Sequence, residues 1–575
     1  MADLMRTVLP RCLMTGVVLW TLAAHAEDVQ PVKNVIVLIA DGCAGEQYTL
    51  ARWYKGAPLA LDAILVGGVQ TYIADSVVPD SAPAASAYAT GCRTSDNFIS
   101  VGPKPGTLRP ALEPPAALQY RPLATVLEGA RLLGKATGIV ATARLCHATP
   151  AAYTAHVALR DRQEDIMEQI VYQHVDVVLG GGKDFLLPAG QAESGSQSES
   201  GRRTDAEDLV SVLTTRGYAV VEDREALAAV SEGRVFGVFA VGPLAAEVDR
   251  PQTRPQEPTL ADMTRKALEL LSADPDGFFL MVEGSQIDWA AHANDPAHLL
   301  SDLVMFDDAV RVALEFAQRD GHTLVLALSD HNTGGMSIGN QSTNSNYSQM
   351  GIEKLVGPLK KMKASAPEMW RRLCAPRDPA KVKAAEIPPQ DVQAIVQECW
   401  GVSLSLDDAQ QLLRVAGQDP DNPHNAFGVT ICPKFTSLGF TSHGHTGGDV
   451  PLFAFGPGRP AGLLEGPEIG TVTARALGLD LDRLNTRLFV DLQEAISDGQ
   501  VRVDSDGAGN LVVHVTRADQ TAALPVNKNL LVLAGHSIEL EGLVVYIPET
   551  KKVYVPLQAV QLITGQPVSL PPVTP

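Results

Sequence analysis

Several short apolar runs punctuate the chain, and each ends abruptly in a polar residue or a glycine. They are NVIVLIAD (34–41), ATGIVATA (136–143), VDVVLGGG (175–182), FFLMVEGS (278–285), TLVLALSD (323–330) and PLFAFGPG (451–458). Continuous apolarity over five to seven residues is typical of strands that are buried on both faces, as in a parallel sheet covered by helices.

Amphipathic helical patterns lie between these runs, for example over 260–273 and 299–318. Alternating strands and helices predict an α/β domain with a doubly wound, mostly parallel sheet and helices on both faces. In such folds ligands bind beyond the carboxyl ends of the strands, and here those ends carry Asp41, Glu283 and Asp330. We therefore expect a functional site at that edge of the sheet.

Three segments interrupt or follow the alternation. Residues 189–203 are rich in Ser, Gly and Glu and predict a solvent-exposed loop. From about 340 to 440 runs a long insertion with helical patterns such as 405–417, which we interpret as a cap-like element. Short alternating strands after about residue 500 predict a small β-rich C-terminal module over 500–575, following a main domain over 27–499.

The first 26 residues have the pattern of an export signal. Arg6 and Arg11 form a basic region, Cys12–Ala23 is a mostly apolar run, and Ala24–Ala26 offers a small-residue cleavage site. No later run approaches 18 uninterrupted apolar residues, so we expect no membrane span after signal removal. The mature chain is expected in the periplasm or outside the cell.

Composition and net charge limit the classes of partner that the chain is expected to bind. The formal net charge is −20 with a pI near 5.1, which argues against a nucleic-acid or anionic membrane surface as the main partner. An anionic substrate would have to be held by metals or single arginines. Six cysteines remain after the signal, and among the possible disulfides Cys374–Cys399 is the favoured pair.

The stretch PDSAPAASAYATG (79–91) consists almost entirely of small residues. Pro83 just inside its start and Gly91 at its end are typical helix punctuation, so we expect a helix that begins at Ser81. A hydroxyl at a helix N-terminus lies in positive potential, which favours an alkoxide or a bound anion.

Candidate metal ligands follow the predicted strands. Asp41 follows the first strand, Asp330 and His331 are adjacent, and Asp288 and His292 are four apart and hence on one helical face. A glycine-flanked TSHGHTGG adds His443 and His445. Mixed carboxylate and imidazole ligands suit zinc, and two such sets suit a paired-metal centre.

Six motifs occur together in a characteristic order: ADG, DSAPAASAYATG, HATPAAYTAHVALR, GFFLMVEGSQIDWAAHANDP, LSDHNTGG and HGHTGG. On these motifs the chain resembles the alkaline phosphatases across roughly residues 33–495. The resemblance implies a phosphate monoesterase with broad substrates that works through a covalent phosphoserine and releases inorganic phosphate. It also implies two zinc ions, a third metal that is usually magnesium, and a homodimer.

Carried over by motif, the resemblance implies a role for each matching residue. Ser81 would be the nucleophile and Arg160 would clamp the phosphate. The implied ligands are Asp288, His292 and His445 for the first zinc, Asp41, Asp330 and His331 with Ser81 for the second, and Asp41, Thr149 and Glu283 for the third metal.

The chain departs from some bacterial relatives in carrying His147 and Trp289 near the third metal, where those relatives have Asp and Lys. Magnesium has little use for imidazole, so we expect it to bind weakly there and zinc or cobalt to compete. The alternative is that His147 does not ligate and magnesium still binds through waters.

Two other functions stay open at this point. One is a phosphodiesterase or nucleotide pyrophosphatase of the same superfamily, against which Glu283, Thr149 and Arg160 argue. The other is a non-catalytic surface protein that binds metal or phosphate.

Overall fold

The computed structural model describes residues 32–112, 114–190, 201–518 and 520–575. The predicted signal over 1–26 and most of the predicted loop over 189–203 lie outside these residues. No helix in the described ranges has the length and apolarity that a membrane crossing requires.

The strands follow one another along the chain as β1 (Asn34–Ala40), β2 (Leu65–Gln70), β3 (Ala136–Arg144), β4 (Val177–Gly181), β5 (Tyr218–Val221), β6 (Arg234–Val238), β7 (Phe278–Gly284), β8 (Thr323–Leu328), β9 (Asn332–Thr333), β10 (Ser337–Ile338), β11 (Leu438–Gly439), β12 (His445–Thr446), β13 (Val450–Phe455), β14 (Gly462–Glu465), β15 (Val490–Asp491), β16 (Gln500–Ser505), β17 (Leu511–Arg517), β18 (Gln520–Pro525), β19 (Leu530–Leu533), β20 (His536–Glu539), β21 (Val545–Ile547) and β22 (Lys552–Val555).

The α-helices are α1 (Gly45–Lys55), α2 (Ser81–Thr90), α3 (Val126–Leu132), α4 (Ala148–Thr154), α5 (Gln163–Tyr172), α6 (Leu209–Thr215), α7 (Arg224–Ala229), α8 (Arg250–Thr253), α9 (Leu260–Leu271), α10 (Gln286–His292), α11 (Pro296–Asp320), α12 (Ile352–Leu359), α13 (Ala366–Cys374), α14 (Pro389–Trp400), α15 (Leu406–Ala416), α16 (Asn425–Phe435), α17 (Gly466–Leu477), α18 (Leu481–Leu488), α19 (Leu492–Ala495) and α20 (Leu557–Thr564).

A ten-stranded sheet forms the centre, in the order β14-β2-β13-β8-β1-β7-β3-β4-β6-β5. Its pairs are parallel except those of β13, which runs antiparallel to β2 and β8. Alternate residues of β1 enter separate apolar clusters: Ile36 and Leu38 lie in one, Val35 and Val37 in the other. The predicted mostly parallel sheet with helices on both faces is confirmed.

The sheet brings together the strand ends that carry the candidate functional carboxylates. Strand β1 lies between β7 and β8, and Ile39 is in register with both Glu283 and Leu328. Parallel strands end at the same edge, so Asp41 and Asp330, which follow β1 and β8, meet Glu283 there.

The insertion over about 340–440 is mainly helical and holds the segment that follows α10. The Asp295 carboxylate accepts a hydrogen bond from the Ala366 N–H at 2.6 Å. On α16, the Cys432 sulfur lies 3.5 Å from the carbonyl oxygen of Asn294, and a Cβ at Gly428 would lie 2.4 Å from that same oxygen. The insertion is therefore packed directly beside the end of α10.

The predicted disulfide between Cys374 and Cys399 is wrong. All six cysteines in the described part of the chain are free thiols. The sulfur of Cys399 is instead 3.1 Å from the guanidinium of Arg372, two residues before Cys374.

The C-terminal β-rich module is confirmed. It comprises an antiparallel five-stranded sheet, β16 to β20, and a three-stranded sheet in the order β15-β22-β21. Because Val490 of β15 pairs with Val555 of β22, pairing with the module begins before residue 500. The boundary at about 500 stays a prediction.

The module is bound to the main domain by polar and apolar contacts. Asn527 donates from its amide to Asp165 at 2.9 Å and to Glu168 at 3.0 Å, both on α5. Leu543 is fully buried in an apolar cluster that also contains Leu127 of α3. The module therefore shares part of its core with the main domain.

We expect Leu543→Ala to lower the temperature at which activity is lost, because it opens a cavity in this shared core at a cost of about 2–5 kcal/mol. Leu524→Ala is the matched control, because Leu524 is equally buried but lies in the module's own cluster. Residual activity after heating measures both. An equal effect of the two substitutions, or none from Leu543→Ala, would contradict the shared core.

Candidate active site

Helix α2 begins at Ser81, as predicted, and its side chains are buried throughout. Asp80 precedes it in extended conformation, and Gly91 ends it in the left-handed region at φ 68°. The helix packs against both α4 and α17, and a Cβ at Gly470 of α17 would lie 2.9 Å from the Ala87 carbonyl oxygen. The small residues thus let α2 be enclosed on several sides with Ser81 at the carboxyl edge of the sheet.

Ser81 lies against the first of three groups of candidate ligands. Its Oγ is 3.0 Å from Nε2 of His331. The same Nε2 lies 3.3 Å from Asp330 Oδ2 and 3.5 Å from Asp41 Oδ1, and all three side chains are fully buried. The set predicted for the second zinc is therefore brought together around the serine hydroxyl.

The set predicted for the first zinc also assembles. Asp288 and His292 lie one turn apart on α10, with Asp288 Oδ2 3.2 Å from His292 Nε2. His445 Nε2 is 3.2 Å from His292 Nε2 and 3.7 Å from Asp288 Oδ1. The rings of His445 and His331 stack with centroids 3.8 Å apart, so the two sets are direct neighbours.

In each of the three imidazoles, Nδ1 contacts an oxygen outside the group. His445 Nδ1 lies 2.8 Å from the Pro79 carbonyl oxygen, His331 Nδ1 lies 3.2 Å from Thr333 Oγ1, and His292 Nδ1 contacts the His443 carbonyl oxygen. Such contacts select the tautomer that leaves Nε2 free to ligate. The sequence patterns did not identify these supporting contacts.

The third predicted set shares Asp41 with the second. Ligand atoms of Asp41, Glu283 and His147 lie within 4.8 Å of one another. Both carboxylate oxygens of Asp41, both of Glu283 and the Thr149 hydroxyl are buried and have no hydrogen-bond partner among the described residues. Buried oxygens of this kind normally have a partner, so this arrangement fits a cation.

The pKa shifts of the buried carboxyls also fit a bound cation. Burial raises the pKa of Asp41 well above its usual value, and the neighbouring carboxylates of Asp330 and Asp288 raise it further. Burial likewise raises the pKa of Glu283 to about 7, with Asp330 adding to the effect. Divalent cations would remove this penalty by stabilising the ionised carboxylates.

Arg160 is held beside the serine by a residue that the sequence patterns left without a role. Its Nη1 lies 2.7 and 2.6 Å from the two carboxylate oxygens of Asp80, which directly precedes Ser81. Burial acts to raise the pKa of Asp80, but the Arg160 charge outweighs it and the pKa is lowered. The ion pair holds the guanidinium near Ser81, and only the adjacency of Asp80 to Ser81 in the sequence pointed to this contact.

His147 and Trp289 lie together near the third set. Their rings meet edge to face with centroids 5.5 Å apart, and His147 Nε2 is 3.1 Å from Arg160 Nη2. Burial, reinforced by the Arg160 charge, lowers the pKa of His147 to about 3. The imidazole is therefore neutral, the form that binds metals.

One further group of carboxylates, Glu168, Asp205 and Glu207, lies away from this site. The ammonium of Lys528 is 3.2 Å from Glu168 and 2.7 Å from Glu207. This group therefore already has a cationic partner from the protein.

Comparisons with known proteins agree with the geometry. A family model described as alkaline phosphatase matches residues 32–479. Alkaline phosphatase 3 of Bacillus subtilis is 35% identical over 464 residues, covering 78% of this chain and 89% of that protein. Alkaline phosphatase of Escherichia coli is 34% identical over 355 residues, covering 52% and 70%.

A solved structure gives the same answer at the level of the fold. The crystal structure of Thermus thermophilus alkaline phosphatase superposes with a TM-score of 0.67 at 28% identity, covering 82% of this chain and 96% of that one. The family match spans most of the chain, including every candidate ligand. The chain belongs to the alkaline phosphatase family and is thus a phosphate monoester hydrolase.

Proposed function

We propose that the chain hydrolyses a broad range of phosphate monoesters through a covalent phosphoserine on Ser81, and releases inorganic phosphate. The observation that carries the proposal is the 3.0 Å approach of Ser81 Oγ to His331 within a buried group of carboxylates and imidazoles. A serine hydroxyl is a poor nucleophile until it loses its proton, and this surrounding is suited to stabilise the alkoxide.

The residues fit two zinc ions and a third divalent metal. The proposed sets are Asp288, His292 and His445 for the first zinc, Asp41, Asp330 and His331 with Ser81 for the second, and Asp41, Thr149 and Glu283 for the third, usually magnesium. When bound, such ions supply Lewis acidity that favours the alkoxide and stabilises the leaving oxygen.

The chain's own groups define the direction of reaction. Ser81 Oγ forms a bond to phosphorus as the bond from phosphorus to the alcohol oxygen breaks, and attack in line puts that oxygen opposite Ser81. His331 contacts Ser81, whereas Asp288 and His292 are carried by α10. The alcohol therefore leaves on the side of α10, and water then cleaves the phosphoserine.

Arg160 is proposed to hold two oxygens of the phosphoryl group. A guanidinium presents its donors as a planar fork that matches two such oxygens, and Asp80 restrains it beside Ser81. A monoester has unesterified oxygens for Arg160, Thr149 and Glu283 to serve, directly or through the metal. A diesterase or a non-catalytic binding protein is not favoured, because these residues and Ser81 are all present.

The proposal also covers the cellular location of the protein, its oligomeric state and its binding partners. We propose export to the periplasm or the medium through residues 1–26, on the basis of their signal pattern, and a homodimer on the basis of family resemblance. Small phosphate esters are the proposed partners, and the net charge of −20 gives no support for nucleic acid.

Ser81→Ala should lower turnover by at least about 10³-fold, because the covalent step is lost while little packing changes. Ser86→Ala is the control, since Ser86 is also a buried hydroxyl of α2. The measurement combines steady-state rates with acid-trapping of labelled phosphate on the protein. Phosphate recovered on a residue other than Ser81 would contradict the assignment.

Arg160→Ala should weaken inhibition by inorganic phosphate roughly 10- to 100-fold, since hydrogen bonds to a charged group contribute about 1.5–3 kcal/mol. Arg162→Ala is the matched control, because that neighbouring arginine pairs with Asp165 instead. Inhibition constants and zinc content are measured together. Zinc loss in step with the weaker inhibition would show that Arg160 supports the metals rather than phosphate.

The third site should prefer zinc or cobalt to magnesium. The neutral imidazole of His147 lies with Asp41 and Glu283, and its buried Nδ1 has no partner among the described residues. Imidazole suits zinc and cobalt, whereas magnesium prefers oxygen ligands. Titrating each metal into stripped enzyme, with His147→Asp in parallel, tests this. Full activity of the unchanged enzyme at low-micromolar magnesium, with no gain from cobalt, would contradict it.

A further inference from the structure

His443 belongs to none of the three proposed ligand sets, yet it touches one of their members. It lies two residues before His445, on the loop that returns from the insertion, and its ring is exposed. Its Nδ1 is 2.6 Å from the carbonyl oxygen of His292. Its own carbonyl oxygen is in turn contacted by Nδ1 of His292. The two histidines are joined by a reciprocal pair of hydrogen bonds.

The end of α10 explains why this pair matters. The last carbonyl oxygens of a helix lack an intrahelical donor, and the residue four positions after His292 is Pro296, which has no N–H. The hydrogen bond from His443 therefore supplies a donor that the backbone there lacks. Since a histidine near a helix C-terminus also interacts favourably with the helix dipole, the contact stabilises this end of α10.

The contact also orients the imidazole of His292. Its Nδ1 donates to the His443 carbonyl oxygen, which leaves Nε2 directed at Asp288, 3.2 Å away. Because one residue supplies both the carbonyl and the anchoring ring, loss of the His443 ring frees the carbonyl that orients His292.

His292 depends on such support more than the other two imidazoles of the site. Its side chain is 33% exposed, against 15% for His445 and 0% for His331. Packing therefore restrains His445 and His331 more strongly, and His292 relies more on its hydrogen bonds.

We infer that His443 is a positioning residue. Its hydrogen bonds to the end of α10 hold His292 with Nε2 toward Asp288 and His445. His443 thereby determines how tightly the first set retains its zinc. The inference rests on the proposed function, in which His292 is a zinc ligand.

The test compares four variants with the unchanged protein. His443→Phe keeps a ring and removes the donor, His443→Ala removes both, and His443→Asn keeps an amide donor where Nδ1 lies. His536→Ala is the control, because that exposed histidine lies on β20, in the C-terminal module. Zinc-loaded proteins are equilibrated with a graded series of chelator concentrations, and the zinc that each retains is measured by metal analysis.

We expect the Phe and Ala variants to lose one zinc equivalent at chelator concentrations about 10- to 100-fold lower, the usual effect of removing an outer hydrogen-bond partner of a ligand. The Asn and His536→Ala variants should behave like the unchanged protein. The unfolding temperature of the metal-free proteins, measured in parallel, separates a local effect from general destabilisation.

Each contrary result has a distinct meaning. If the unchanged protein holds no zinc, the proposed metal assignment fails and the inference fails with it. If the unchanged protein holds zinc and the Phe and Ala variants hold it equally well, the role of His443 is overturned while the proposed function stands. Equal loss by the Asn and Phe variants would overturn the claim that the Nδ1 donor is responsible.

Discussion

The burial of carboxylates within a few ångströms of one another is the constraint on which the active site depends. Asp41 and Glu283 are fully buried and accept no hydrogen bonds from the described residues, and burial raises the pKa of each carboxyl. Such a group is unfavourable unless cations neutralise it. The sheet creates it by ending β1, β7 and β8 at one edge, and this same arrangement surrounds Ser81, the proposed nucleophile.

The residues around this group control its geometry rather than its charge. Backbone carbonyls at Pro79 and His443 orient two imidazoles, and Asp80 restrains Arg160. The insertion supports this geometry indirectly, because it contacts Asn294 just beyond the end of α10. We interpret the chain as a core that supplies ligands, with later segments that hold them in position.

Much of the fold and the clustering of the candidate ligands could be predicted from the sequence, because buried parallel strands are continuous apolar runs and several candidates follow them directly. The short edge strand Gly462–Glu465 escaped prediction, because its residues are partly exposed and its pattern is weak. The roles of Asp80 and His443 could not be predicted either. His443 meets His292 across 151 positions of chain, and no local pattern encodes a contact of that separation. The Cys374–Cys399 expectation failed because proximity along one insertion does not define the direction of a side chain.

The measurement that tests this account most directly is anomalous X-ray diffraction at the zinc edge, from crystals of the zinc-loaded protein. The account predicts strong peaks between Asp41, Asp330 and His331 and between Asp288, His292 and His445, with Ser81 Oγ beside the former. Peaks absent from both positions, or confined to the group of Glu168, Asp205 and Glu207 beside Lys528, would contradict it.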